Sequence, residues 1–316
     1  MRERLVAGLG NGVAAGALWG LVFLTPQLLA DFTPLQQAAA RYLAYGLIAA
    51  LLLAPRWKAA TGHLDAAAWR GLAWLSLLGN LLYFVLLAAA VLWAGGAATA
   101  LIVGLVPVAV TVATAGGGDG PRLRALAGPC ALCVAGVTLV AFDALHAGRG
   151  GAATAGTRAL GLACAVGALA AWSAYSIANA RWLQRHPGIS GRDWSLLTGV
   201  ATGALALLLV APAFAMGGPD THGPGDWLRF WGMAAGLALF ASVIGNAFWN
   251  RASRLLPLSL MGQMIVFETI FALVYGFLWE QRLPSPLEWL AMGCLLGGVL
   301  WCASLHARHA PPVHAA

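Results

Sequence analysis

Apolar runs of about twenty residues follow one another along the chain, separated by short polar interruptions. A helix rises about 1.5 Å per residue, so ~20 apolar residues cross the ~30 Å hydrocarbon layer of a bilayer. Charge and turn punctuation predicts ten spans, at 6–29, 33–53, 71–93, 97–115, 123–142, 159–180, 194–215, 228–250, 256–278 and 287–306. Residues 71–118 carry no charge over a length that needs two helices, and Trp93-Ala94-Gly95-Gly96 supplies the turn between them. No stretch sustains the period-two alternation of a membrane β-strand. The expected fold is therefore an all-α membrane protein.

Composition agrees with the pattern. Hydrophobic residues make up 60% of the 316 and charged residues 9%, against ~25% charged in a soluble domain. Intrinsic disorder is excluded by the same balance. The net charge of +7 does not imply a nucleic-acid partner, because the basic residues lie in short clusters between apolar runs rather than in one stripe. Nearly all of them are Arg, Lys58 being the exception, and with abundant Ala and Gly this points to a bacterial source. Arg2-Glu3-Arg4 before an apolar run resembles a signal peptide, but the uncharged run to Ala30 exceeds the ~7–15-residue core of a cleaved signal. It is read as the first span.

With the N-terminus in the cytoplasm and ten alternating spans, thirteen of the eighteen basic residues fall on the cytoplasmic side and four (Arg149, Arg158, Arg229, Arg282) outside. That sorting predicts a bacterial inner-membrane protein with both termini cytoplasmic. Arg41 is left inside a span.

The sequence also repeats itself weakly. Gly79-Asn80 followed by Tyr83 recurs as Gly245-Asn246 followed by Trp249, an offset of 166; Asp119 and Gly136 recur as Glu280 and Gly297, offset 161; Trp19 corresponds to Trp172, offset 153. The expected organisation is two five-helix repeats, residues 1–150 and 151–316. Five is odd, so the second repeat is inverted. Inverted repeats are characteristic of secondary transporters, with substrate bound at the repeat interface.

These features resemble the drug/metabolite transporter superfamily, EamA type. Trp19-Gly20, Arg41, Tyr83, Pro107 and Trp279-Glu280-Gln281-Arg282-Leu283 carry the likeness over nearly the whole chain. Within it the chain most resembles the aromatic amino-acid exporters of the YddG type. The resemblance implies a central cavity lined mainly by spans three, four, eight and nine, with one and six contributing. Glu268 departs from it, standing where members often carry the Pro equivalent to Pro107.

Two ionisable groups lie inside spans, Arg41 and Glu268. Such groups are costly in a bilayer and are read first as functional. Glu268 is expected to meet a substrate ammonium or take a proton; the structural alternative is a Glu268–Arg41 pair that holds helices together. Trp19, Tyr83, Trp172, Tyr175 and Trp249 lie within spans, where they can sandwich a planar ring, whereas Trp57, Trp69, Trp227 and Trp289 sit at span ends as an interfacial belt. Asn80, Asn246 and Gln263, joined by Asn250, offer partners for a polar group, or else bond across helices. Gly8, Gly12, Gly16 and Gly20 line one face of span one, and Gly232/Gly236 and Gly293/Gly297 repeat the spacing; small faces let helices approach closely. Pro26 and Pro107 are expected to interrupt or kink their helices.

The expected function is export of aromatic or hydrophobic amino acids, or related small organic solutes, by alternating access, with a monomer as the working unit. A proton-coupled exporter of planar lipophilic cations is the competing reading, since the same rings attract cations. An intramembrane enzyme would need a nucleophile–base pair or metal cluster at membrane depth; the histidines fall in loops or the tail, and Ser173 and Ser176 have no basic partner within the spans. No enzyme activity, cofactor or metal is expected. Gly10-Asn11-Gly12 has no preceding strand, Cys130 and Cys133 lack a second ligand pair, and no Walker loop occurs.

Overall fold

The computed structural model describes residues 2–62, 64–115, 123–146, 154–186, 189–215, 222–256 and 264–309. Among these residues every regular element is helical. The order is α1 (Arg2–Leu28), α2 (Pro34–Leu53), the short α3 (Trp57–Thr61), α4 (Ala66–Ser76), α5 (Tyr83–Ala94), α6 (Gly96–Val103), α7 (Val106–Thr114), α8 (Leu123–His146), α9 (Ala155–Arg185), α10 (Gly191–Ala215), α11 (Pro224–Leu237), α12 (Asn246–Leu255), α13 (Val266–Trp279) and α14 (Pro286–His309). Wider π-helical turns, Leu77–Leu82 and Ala238–Gly245, join α4 to α5 and α11 to α12. Among the described residues eight continuous stretches are long and apolar enough to cross a membrane, and α13 with Pro286–Cys302 adds two shorter apolar helices. Leu47, Leu51, Leu207, Leu208 and Leu228 stand exposed on the outside, a surface suited to lipid. The chain is a multi-pass helical membrane protein.

Local chemistry places the helix ends. Thr33 caps α2: its Oγ1 accepts from the Gln36 amide at 3.2 Å while the Gln36 side chain accepts from the Thr33 amide at 2.8 Å, satisfying two otherwise orphaned donors. Gly95 turns α5 into α6 at φ 97°, a left-handed conformation that glycine adopts without a Cβ penalty. Pro26 lies inside α1. At Pro107 the span is interrupted rather than kinked. The helix stops at Val103, and Pro107 sits in the first turn of α7, where its missing N–H costs nothing.

Four pairings organise the bundle: α2 along α10, α5 along α9, α1 along α13 and α8 along α14. Close approach carries the first. A Cβ at Gly46 would lie 2.5 Å from the Cα of Gly203, so the two backbones touch. The expected glycine face of α1 behaves likewise, with Gly8 against Leu256, Gly12 against Met264, Gly16 against Phe267 and Gly20 against Phe271 and Ala272. The other two glycine pairs do not repeat it. Gly232, Gly236 and Gly293 have open space where a Cβ would go, and Gly297 has only an ordinary contact with Leu132. Spacing alone does not say which face a helix turns to its neighbour.

A polar clamp closes the α8–α14 end. Arg282 donates to both carboxylate oxygens of Glu288, at 2.7 and 2.9 Å, and Glu288 is only 2% exposed. Glu288 also accepts from the Ser285 amide at 2.7 Å, while Ser285 Oγ accepts from the Glu288 amide and donates to Asp143 on α8. Its hydrogen bond to Glu288 holds the Arg282 guanidinium above its already high ordinary pKa.

Gly46→Ala is expected to cost about 1–3 kcal/mol through overpacking, and Arg282→Ala about 3 kcal/mol because it strands a buried carboxylate. Thermal unfolding of the purified protein in detergent measures both; an unchanged midpoint in either variant removes the corresponding contact from the account.

Candidate functional site

The glycine face of α1 lies flush on the start of α13, where a Cβ at Gly16 would sit 3.0 Å from the Glu268 backbone nitrogen. That contact brings Trp19, one residue before Gly20, to the same region as Glu268 in the first turn of α13. The π-helical turns do comparable work on the other side. A π turn carries an extra residue, widens the helix and leaves a carbonyl unmatched. In the second such turn the Ala241 carbonyl accepts from Trp19 Nε1 at 3.0 Å. The first carries Gly79-Asn80: the Tyr175 ring occupies the space a Gly79 Cβ would take, 2.3 Å away, and Asn80 Nδ2 donates to Thr202 Oγ1 at 2.9 Å.

The result is a central cavity of about 410 Å³. Trp19, Arg41, Asn80, Tyr83, Trp172, Tyr175, Asn246, Trp249 and Glu268 all line it. Of the residues singled out in the sequence as candidate site residues, Gln263 alone lies outside the described residues. Trp19 and Trp249 form one aromatic pair, with ring centroids 5.0 Å apart and planes at 42°. Tyr83 and Trp172 form another, 4.8 Å apart at 37°, and Tyr175 continues it 5.0 Å from Trp172.

A smaller void of about 220 Å³ shares Trp19, Tyr83, Trp172, Trp249 and Glu268 with the central cavity, and reaches Val103, Gly104 and Val106 at the α6–α7 break. The four rings therefore form the wall between the two. In the other direction the cavity shares Tyr45, Ser195, Ser242, Asn246 and Asn250 with a groove of about 510 Å³ that reaches Arg192, Arg251 and Arg254.

Arg41 and Glu268 line the same cavity, yet they do not form the ion pair weighed as the structural alternative. Arg41 is 7% exposed. Its Nη2 donates to Ser242 Oγ at 3.4 Å, and its guanidinium lies over the Phe84 and Tyr42 rings at 4.4 and 5.1 Å. Its Nε and Nη1 are buried without an acceptor.

The lining departs from the implied one. Spans two and seven enter it through Arg41, Tyr42, Tyr45, Trp194, Ser195 and Thr198, while span four reaches only the smaller void. Sequence reasoning passed over Ser242, Asn179, Trp194 and Thr198. The polar residues inside apolar runs were a signal for the two short hydroxyl side chains, but nothing in the pattern announces a π turn. The competing structural role of the amides holds for Asn80, which bonds across helices as well as facing the cavity.

Residues 159–304 match the EamA-like transporter family. That segment is similar to an EamA-like transporter domain. Over 310 residues the chain is 29% identical to the inner membrane protein YtfF of Escherichia coli strain K12, an alignment covering 94% of each protein. A solved crystal structure 18% identical in sequence superposes with a TM-score of 0.60, covering 95% of this chain and 99% of the other; that likeness is one of fold. The matched segment begins in α9 and ends in α14, and it includes both Trp172 and Glu268. The EamA-like segment therefore supplies one member of the Tyr83–Trp172 pair and the Glu268 carboxylate, whereas Trp19 and Arg41 come from the part of the chain before it.

Asn80→Ala is expected to cost about 0.6 kcal/mol, the usual worth of an interhelical hydrogen bond in a membrane. Thermal unfolding checks this, and a loss above about 2 kcal/mol would make Asn80 a principal fastening between helices.

Proposed function

We propose that this protein is an EamA-like transporter, a secondary exporter of aromatic or hydrophobic amino acids in a bacterial inner membrane, working by alternating access. The observation that carries the reading is the pair of aromatic contacts, Trp19–Trp249 and Tyr83–Trp172, set beside Glu268 in a cavity of about 410 Å³. Rings at these spacings accept a further planar ring in edge or offset contact, worth about 0.5–1.5 kcal/mol each beyond burial. Glu268 takes the substrate ammonium or a coupling proton, and Asn246 offers an amide to the polar end.

The transport unit is read as ten spans in two inverted halves, 1–150 and 151–316, whose boundary lies outside the described residues. Several observations support this. The two aromatic pairs exchange under the repeat, Trp19 with Trp172 and Tyr83 with Trp249. Both π-helical turns precede or contain the repeated Gly-Asn. The packing of α5 on α9 is matched by that of α12 on α1, and the family match spans one half alone. With both termini in the cytoplasm, the groove bearing Arg192, Arg251 and Arg254 opens inward and the four-ring wall closes the outer side, an inward-open resting state. The relative YtfF, an inner membrane protein, agrees with this placement.

Export of lipophilic cations uses the same rings through cation–π attraction. Arg41 in the same cavity repels such cargo, so the amino-acid reading is preferred.

Purified protein in liposomes is expected to show counterflow of labelled tryptophan or phenylalanine, reduced by Trp249→Leu about 2–10-fold, with Glu268→Gln abolishing the pH dependence. Counterflow of a lipophilic cation with none of either amino acid overturns the proposal.

A further inference from the structure

Arg41 is the feature that stacking and Glu268 leave unexplained. A guanidinium is a planar, delocalised cation with five N–H donors and no acceptor. It is 7% exposed, two of its nitrogens have no acceptor, and its one hydrogen bond, to Ser242, is long at 3.4 Å. Among the described residues no carboxylate lies within ion-pair distance of it. Phe84 and Tyr42 hold the guanidinium by their ring faces, which orients the charge without neutralising it. Other buried charges in this protein are treated differently: Glu288 is matched by Arg282 at 2.7 Å, and Asp193 by Arg56 at 3.1 Å. A lone cation bordering a cavity, with a carboxylate on the same cavity but out of reach, is a site whose counter-ion is brought by the ligand.

We infer that Arg41 is the anchor for a carboxylate on the transported solute, received between Arg41 and Ser242 while the solute's ammonium turns to Glu268. The inference rests on reading the central cavity as the substrate site. A carboxylate matches a planar guanidinium with two parallel hydrogen bonds. One guanidinium beside a carboxylate neutralises a zwitterion and leaves a dianion such as a phosphate monoester unbalanced. The cavity then recognises three things at once: an aromatic body on the four rings, an anionic end at Arg41 and a cationic end at Glu268. Free aromatic amino acids satisfy all three; their amides, esters and decarboxylated amines lack the second.

The test is ligand-induced thermal stabilisation of the purified full-length protein by L-phenylalanine, L-phenylalaninamide, phenethylamine and 3-phenylpropionate. Wild-type protein is expected to respond to phenylalanine at concentrations roughly 10–100-fold lower than to its amide. Arg41→Lys retains part of that preference, because the charge remains but the fork is lost, and Arg41→Gln responds to acid and amide alike. Equal response of the wild type to acid and amide, or to none of the four compounds, overturns the inference, as does a preference that survives in Arg41→Gln. If Arg41→Gln does not fold, the wild-type series and Arg41→Lys decide. Phenylalanine counterflow without any acid-over-amide preference defeats this inference and leaves the export reading standing. A carboxylate preference without counterflow of any aromatic amino acid does the reverse.

Discussion

Holding an ionised side chain in the interior of a helical bundle costs several kcal/mol unless another charge, or water, compensates it. Arg41 is held that way, with ring faces and one long hydrogen bond as its surroundings, and the cavity beside it is what makes the arrangement tolerable. The rest of the centre is arranged around that fact. Glu268 borders the same space without closing on Arg41. The four rings wall it on one side, and on the other it runs through Asn250 and Ser195 toward the arginine-lined groove. A salt bridge between the two charges would have produced a sturdier bundle and an occupied site.

The helices that present these groups are fixed by close backbone approach, because lipid offers little hydrophobic drive for helix association. Gly46 against Gly203 lets α2 lie on α10, which sets Arg41 and Tyr45 opposite Ser195 and Thr198. Gly16 and Gly20 let α1 lie on α13, which puts Trp19 beside Glu268. The π-helical turns then adjust the remaining two walls by widening the backbone where Asn80 and Ala241 make their cross-helix bonds. Packing and site geometry are the same set of contacts seen from two sides.

Much of this was legible in the residues. Among the described residues the long apolar helices fall within the runs that hydropathy singled out, because an apolar run of membrane length is hard to mistake, and Gly95 marked the α5–α6 turn. The polar and aromatic residues inside spans converged on one cavity, because a group disfavoured by lipid has few other places to go. What escaped was rotational. Gly232, Gly236 and Gly293 have the spacing of a packing face and meet nothing, since a period specifies a stripe and not the neighbour it faces. Pro107 starts a helix instead of bending one, because the break comes at Gly104 and Leu105 just before it. Arg282 reads from sequence as a basic residue of the Trp279–Leu283 stretch, and nothing there says that it closes on Glu288, although the Ser285–Glu288 spacing is that of the capping box that fixes the carboxylate.

The most direct measurement is an experimental structure of the protein with L-tryptophan bound. The account predicts the indole against the Trp19–Trp249 and Tyr83–Trp172 pairs, the carboxylate at Arg41 and the ammonium toward Glu268. Tryptophan bound in the arginine-lined groove alone, or in the central cavity with its carboxylate turned away from Arg41, would contradict it.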